Sequence, residues 1–210
     1  MFAFTRIKTR TAGEIFYAVP SGNYGNLAAG LYAWKFCLPV NGFITDATEA
    51  LNCGETGTCR CVNSSVPLAE RGPADPAVPS SIERLEQIFT LSPAVMKSII
   101  FPAWVSDTEA ETLISDSYRH YGIMFDTATA HAYAAAQNRN ICRRRGGESL
   151  VLVSKDHPAF ESKILTRICG ESPIIPEYLR DIDTPVPNVP LIEGTKEELI
   201  KILNKVSEVQ

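Results

Sequence analysis

Residues 20–26 read Pro-Ser-Gly-Asn-Tyr-Gly-Asn, between the apolar run Ile15–Val19 and the segment Leu27-Ala28-Ala29-Gly30-Leu31-Tyr32-Ala33-Trp34. Two glycines, two asparagines and a serine exceed what a simple join of strand to helix requires. A strand that feeds a glycine-rich turn and then a helix N-terminus presents unpaired backbone N–H groups, and the helix dipole adds partial positive charge. The chemistry this suits is anion binding. Gly22 and Gly25 let the backbone come close to a ligand oxygen, and Ser21, Asn23 and Asn26 add side-chain donors. Charge-assisted hydrogen bonds contribute roughly 1.5–3 kcal/mol each, so three or four of them hold a phosphate. The pattern is neither G-x-G-x-x-G nor G-x-x-x-x-G-K-[ST], the signatures of dinucleotide and P-loop sites. On spacing alone two readings stay open: a phosphate site, or a plain strand-to-helix turn capped by Asn26.

Other chemistry-bearing residues point to less. The six cysteines stand at 37, 53, 59, 61, 142 and 169. The C-x5-C-x-C spacing of Cys53, Cys59 and Cys61 matches no common zinc or iron–sulfur pattern, so free thiols and no metal are expected. His120, His131 and His157 form no H-x-x-x-H or His/Cys pairing, which leaves no zinc motif. Ser21 does not sit in G-x-S-x-G, the nucleophile elbow of esterases. Arg139, Arg143, Arg144 and Arg145 make one basic run ending in Gly-Gly, which reads as a solvated loop. With a net charge of −4 over the whole chain, nucleic acid and anionic membranes are not the expected partners. No apolar run approaches the ~20 residues of a membrane-spanning helix, and the N-terminal residues lack the apolar core of a secretory signal. A cytoplasmic protein is expected.

The elements that must position the turn follow from periodicity. Glu14–Val19 reads as a short buried strand, Asn26–Phe36 as a helix and Gly42–Thr45 as a second strand, a βαβ unit of a parallel sheet. Asn52–Pro79 is rich in Gly, Pro, Ser, Cys and charge and reads as a long irregular connection. Ser80 and Glu83 form a capping-box pattern, Pro93 opens a further helix, and Ser106–Glu109 repeats the box before a helix reaching Tyr118. Ala128–Gln137 reads as an alanine-rich helix suited to close packing, Leu150–Val153 as a strand ending at Ser154, and Pro158–Cys169 as a helix. A proline-rich connector, Thr184–Gly194, leads to a last helix carrying Leu199, Ile202, Leu203 and Val206 on one face. The class is α/β.

The stretch Ala18–Val40 resembles the phosphate-binding loop of the threonine synthase family, pyridoxal-phosphate enzymes of the tryptophan-synthase β-like fold. That family carries P-[ST]-G-N-[FY]-G-[DN], then a small-residue helix with A-G-x-Y-A, then G-L-P-[IV]. Pro20-Ser21-Gly22-Asn23-Tyr24-Gly25-Asn26 fits without a gap. TDATEALN, ADPAVPSSIERLEQIF, YGIMFDTATAHAYAAA and LVLVSKDHPAF are similar, in order, to the family's T-N-x-N-D stretch, its M-D-x-x-x-P-S-N-x-E-R-L helix, its D-P-H-x-A-V helix and its [ST]-A-H-P-A-K-F turn.

The resemblance implies part of a three-layer, parallel-sheet architecture of fold type II. Residues 1–183 would be the C-terminal part of the cofactor domain, with its long loop at 52–79, and 184–210 the connector and final helix. Ser21, Gly22, Asn23, Tyr24, Gly25 and Asn26 would cradle the phosphate of pyridoxal phosphate, and Ser154 would face the pyridine nitrogen. Thr129 would line the substrate pocket, and His157, at the histidine of A-H-P, would be structural at least as often as functional. The implied reaction converts O-phospho-L-homoserine and water to L-threonine and phosphate.

Four departures qualify this. Asp46 and Thr48 replace asparagines, Thr127-Ala128 replaces Pro-His, and the turn before His157 is one residue longer. The fourth is the lysine that forms a Schiff base with the cofactor. In the family it lies in an F-K-D motif upstream of the phosphate loop. None of Lys8, Lys35, Lys97, Lys155, Lys163, Lys196, Lys201 or Lys205 stands in that context. The chain is therefore expected to match the C-terminal half of the family, to contain no catalytic residue and to lack turnover alone. The alternative is a non-catalytic phosphate- or cofactor-binding remnant, or an assembly partner of a separate N-terminal half or of a second copy.

Overall fold

The expected βαβ unit opens the chain's sheet. In the computed structural model, which describes residues 14–47, 51–53, 59–61, 81–89, 93–139, 149–180 and 195–207, β1 is Ile15–Ala18, α1 Gly25–Lys35 and β2 Gly42–Asp46. A hairpin of β3 (Leu51–Cys53) and β4 (Cys59–Cys61) follows, then α2 (Ile82–Phe89), α3 (Pro93–Ile99) and β5 (Ile100–Ala103). Next come α4 (Asp107–Tyr121), α5 (Thr127–Asn138), β6 (Ser149–Leu152), a 3-10 turn at Pro158–Glu161 and α6 (Ser162–Cys169). A second 3-10 turn at Glu177–Leu179 precedes α7 (Lys196–Ser207). The chain divides into two units, Met1–Pro173 and Ile174–Gln210. The first holds both sheets, and α7 belongs to the second.

The main sheet runs β5-β2-β1-β6. All three pairings are parallel, with Ala18 opposite Ile44 and Leu152, and Asp46 opposite Ala103. Helices cover both faces, as parallel sheets require. On one face Leu27 and Leu31 of α1 pack with Phe43, Leu85, Ile88, Met96 and Ile99. On the other, Ile44 and Ala18 meet Leu113 and Ile114 of α4, the alanines of α5 and Leu165 of α6. Full burial of a leucine side chain stabilises the fold by about 1.5–3 kcal/mol, so Leu27 and Leu31, both without exposed surface, suffice to fix the face that α1 presents.

Two expectations are corrected. The connection from Asn52 is not wholly irregular, because β3 and β4 pair antiparallel with Cys53 opposite Cys59. The helix at 82 begins one residue later than the Ser80 box implies. Ser81 stands immediately before it and its carbonyl accepts from Leu85 N–H at 3.3 Å, while Ser80 lies outside the described residues. The box at Ser106 forms as expected, with Glu109 N–H donating to Ser106 Oγ and Ser106 N–H donating to the Glu109 carboxylate at 2.7 Å. No helix among the described residues is long and apolar enough to cross a membrane, and no cluster of three or more His, Cys, Asp or Glu among them is arranged to hold a metal.

Candidate functional site

The carboxyl ends of β1, β2 and β6 finish at one edge of the sheet, the edge at which open parallel sheets bind ligands. Backbone pairing runs one residue past each strand: Val19 N–H donates to Ile44 O at 2.8 Å and Val153 N–H to Ala18 O at 2.9 Å. Beyond these bonds the chain leaves β1 as the Ser21–Asn26 turn, β2 ends on Asp46, and β6 runs into Ser154 and Lys155.

The turn is held from inside. Tyr24 N–H donates to Ser21 O at 2.7 Å, closing a four-residue turn in which Gly22 has φ +43° and Tyr24 φ +60°. The left-handed region costs a non-glycine residue roughly 1–2 kcal/mol. Tyr24 offsets this with its ring, which has no exposed surface and packs among Leu27, Leu31 and Phe43. Asn23 Oδ1 accepts from Gly25 N–H at 3.0 Å, so the helix starts at Gly25 and its first donor is met by Asn23, not by a cap at Asn26. Asn23 O also accepts from Ser81 N–H at 3.2 Å, which ties the turn to α2.

Asp46 is the closest charged partner of the turn. Its carboxylate accepts from Ser21 N–H at 2.9 Å and from Ser21 Oγ at 2.6 Å. The opposite charge comes from Lys155, whose Cε lies 3.8 Å from where a Cβ on Gly22 would stand and, among the described residues beyond its chain neighbours, is the only heavy atom within 4 Å of it. Lys155 Nζ also pairs with Asp156 at 3.2 Å. The N–H groups of Gly22 and Asn26 meet no acceptor among the described residues, and both residues are exposed.

Ser154 is exposed at the same edge. Thr129 lies beneath it with no exposed surface. Its hydroxyl donates to Asp126 and accepts from Lys155 N–H at 3.1 Å, so it joins α5 to the segment after β6. His157 Nδ1 accepts from Ala159 N–H at 3.2 Å and caps the 3-10 turn. The structure thus brings Ser21–Asn26 and Ser154 to one edge and puts Thr129 behind them. It adds Asp46, Lys155 and Ser81. Parallel register carries the signal for Asp46, because the residue ending β2 faces the exit of β1. A groove of about 540 Å³ between α4 and α5, lined by Thr108, Leu113, His120, Tyr133 and Gln137, shares no residue with this edge.

No protein-family model matches the chain. It is 26% identical over 196 residues to the threonine synthase of Buchnera aphidicola subsp. Schizaphis graminum, covering 90% of this chain and 42% of that protein. Against the threonine synthase of Escherichia coli K12 it is 26% identical over 186 residues, covering 85% of this chain and 41% of that one. Among solved structures, threonine synthase from Escherichia coli superposes with a TM-score of 0.66 at 23% identity, over 97% of this chain and 46% of that one. A PLP-bound threonine synthase from Brucella melitensis superposes with a TM-score of 0.63 at 18% identity, over 98% and 48%. The chain spans about two fifths of the length of these curated relatives (42% and 41%), an extent in keeping with the expected half. In sequence this chain is similar to the threonine synthases, and its parallel-sheet α/β architecture is theirs, fold type II.

Proposed function

We propose that this chain carries the phosphate-binding side of a threonine-synthase-type site for pyridoxal phosphate, and that the intact enzyme converts O-phospho-L-homoserine and water to L-threonine and phosphate in the cytoplasm. The observation that carries this reading is the turn at the edge where β1, β2 and β6 end, with Gly22 and Asn26 offering N–H groups that meet no acceptor among the described residues. The residues fit a phosphate group: Gly22 is open at φ +43°, with Lys155 Cε 3.8 Å from where its Cβ would stand, and Lys155 supplies positive charge. Pyridoxal phosphate, when bound, supplies the electron sink that acidifies the substrate's α-carbon.

This chain's own residues hold and orient. Gly22 and Asn26 would donate backbone N–H groups to the phosphate, with the α1 dipole behind them. Ser154 would offer a hydroxyl to the pyridine ring, which, unlike an aspartate, would not enforce its protonation. Thr129 positions the Ser154–Lys155 segment through its bond to Lys155 N–H.

A second reading has its own observation. No lysine of this chain stands in an F-K-D context, so the isolated chain binds the cofactor's phosphate without turnover, and a partner carrying the lysine completes the site. Absorbance titration of the purified chain with pyridoxal phosphate, then borohydride reduction and intact mass, tests this. Retention that inorganic phosphate competes away, no reduced adduct and no phosphate release from O-phospho-L-homoserine are expected. An adduct mapped to one lysine, or turnover above background, overturns the non-catalytic half of the reading. Absence of any retention overturns the binding half.

A further inference from the structure

The donors that would grip an anion at the turn are largely engaged already. Asp46 accepts from both Ser21 N–H and Ser21 Oγ, at 2.9 and 2.6 Å. Asn23 Oδ1 accepts from Gly25 N–H at 3.0 Å. Tyr24 N–H closes the turn onto Ser21 O. Two side-chain oxygens of Asp46 and one of Asn23 thus stand where three oxygens of a bound anion would accept. The Asn23 oxygen is neutral, but Asp46 brings a full negative charge.

From this geometry we infer that Asp46 is an internal competitor for the turn: its carboxylate fills the Ser21 donors, and a phosphate gains them only by displacing it. This rests on the phosphate-site reading above. Ser21 is buried and Asp46 half-buried, so their interaction is less screened by solvent than a surface pair. A phosphate accepting from the same N–H and O–H would bring like charges within a few ångströms, where repulsion reaches several kcal/mol at an effective dielectric near 20. Two cations stand near the turn among the described residues: Lys155, shared with Asp156, and Arg84, whose guanidinium donates to Ser81 Oγ at 3.1 Å; they offset Asp46 in part. Asp46 therefore sets the affinity of the turn, and removing its charge strengthens anion binding. A merely structural role for Asp46, orienting Ser21, requires the opposite response.

The test is calorimetric titration of the full 210-residue chain and of its Asp46→Asn and Asp46→Ala variants with inorganic phosphate and with pyridoxal phosphate, at low and high salt. Asp46→Asn keeps the shape and an acceptor for Ser21 N–H, and circular dichroism checks that the fold is retained. Asp46→Ala frees both donors and stands in if the amide variant misfolds. Both variants are expected to bind phosphate roughly ten- to a hundredfold more tightly than the parent, with the advantage shrinking as salt rises. A parent that binds while both folded variants bind equally or more weakly overturns the competitor role and leaves the phosphate site standing. No binding by any of the three removes the phosphate site itself and the inference with it. Binding by the variants alone is the strongest support.

Discussion

The backbone N–H of Lys155 donates to the hydroxyl of Thr129 at 3.1 Å, across the gap between α5 and the segment that leaves β6. The same hydroxyl donates to Asp126, whose other carboxylate oxygen accepts from Thr129 N–H at 3.0 Å and starts α5. Asp126 and Thr129 are both buried. One side chain therefore fixes a helix start and the segment carrying Ser154.

Thr129→Val keeps the shape and removes the hydroxyl. It leaves a buried carboxylate oxygen and a backbone N–H without their partner, a loss of about 1–3 kcal/mol. Thr129→Ser is expected to keep most of the stability, because the hydroxyl remains. Urea unfolding of the two variants separates the cases, and a valine variant within roughly 0.5 kcal/mol of the parent would show that water replaces the bond.

Close packing of α1 on β2 depends on Gly30. A Cβ there would stand 2.6 Å from Phe43 Cε1, and Phe43 is itself buried in the core. Alanine improves helix propensity by about 1 kcal/mol, but overpacking of a filled core costs typically 1–3 kcal/mol. Gly30→Ala is expected to destabilise, and the double variant with Phe43→Leu to recover part of the loss. If Gly30→Ala raises the midpoint, the helix–strand approach is looser than the contact implies.

Acid acts on the N-terminus of α4. The Glu109 carboxyl is held below its ordinary value of 4.5, first by the Ser106 N–H and then by the Ser106 hydroxyl. Because the folded value is the lower one, this stabilisation is fully present above 4.5 and is lost as pH falls through the folded value. Glu109→Gln removes the titration. The stability difference between parent and variant, followed by thermal melts from neutral to acid pH, is expected to be constant near neutrality and to shrink on acidification. A difference that grows in acid overturns the assignment.

How much of this was legible in the sequence depended on local signals. The strand–turn–helix–strand unit was readable because Gly22 and Gly25 punctuate two apolar runs with different periods. The box at Ser106 was readable because both its residues lie within one turn of chain. Strand β5 was not. Ile99 ends α3 and Ile100 begins β5 with no turn residue between them, so the apolar run reads as one element. Pro102 argues further against a strand, yet among the described residues β5 pairs only with β2, and its other side tolerates the missing N–H. Asp46 stood out as a departure from a family pattern, but its partner did not, because Ser21 lies 25 residues away and meets it only through parallel register.

Lys155 supplies the last prediction, since its backbone and side chain do separate things. The backbone N–H serves Thr129 and survives any substitution. The side chain reaches the edge of Gly22 and shares its charge with Asp156 at 3.2 Å, both half-exposed. Lys155→Met is therefore expected to leave the unfolding midpoint within roughly 0.5 kcal/mol, as surface substitutions do. It should weaken phosphate binding by about three- to tenfold at low salt, the effect of one partly screened charge. Asp156→Asn releases the lysine from its pair and is expected to strengthen binding in the same titration. If Lys155→Met binds phosphate as the parent does at low salt, the charge at Gly22 plays no part, and the other donors of the turn carry its anion affinity.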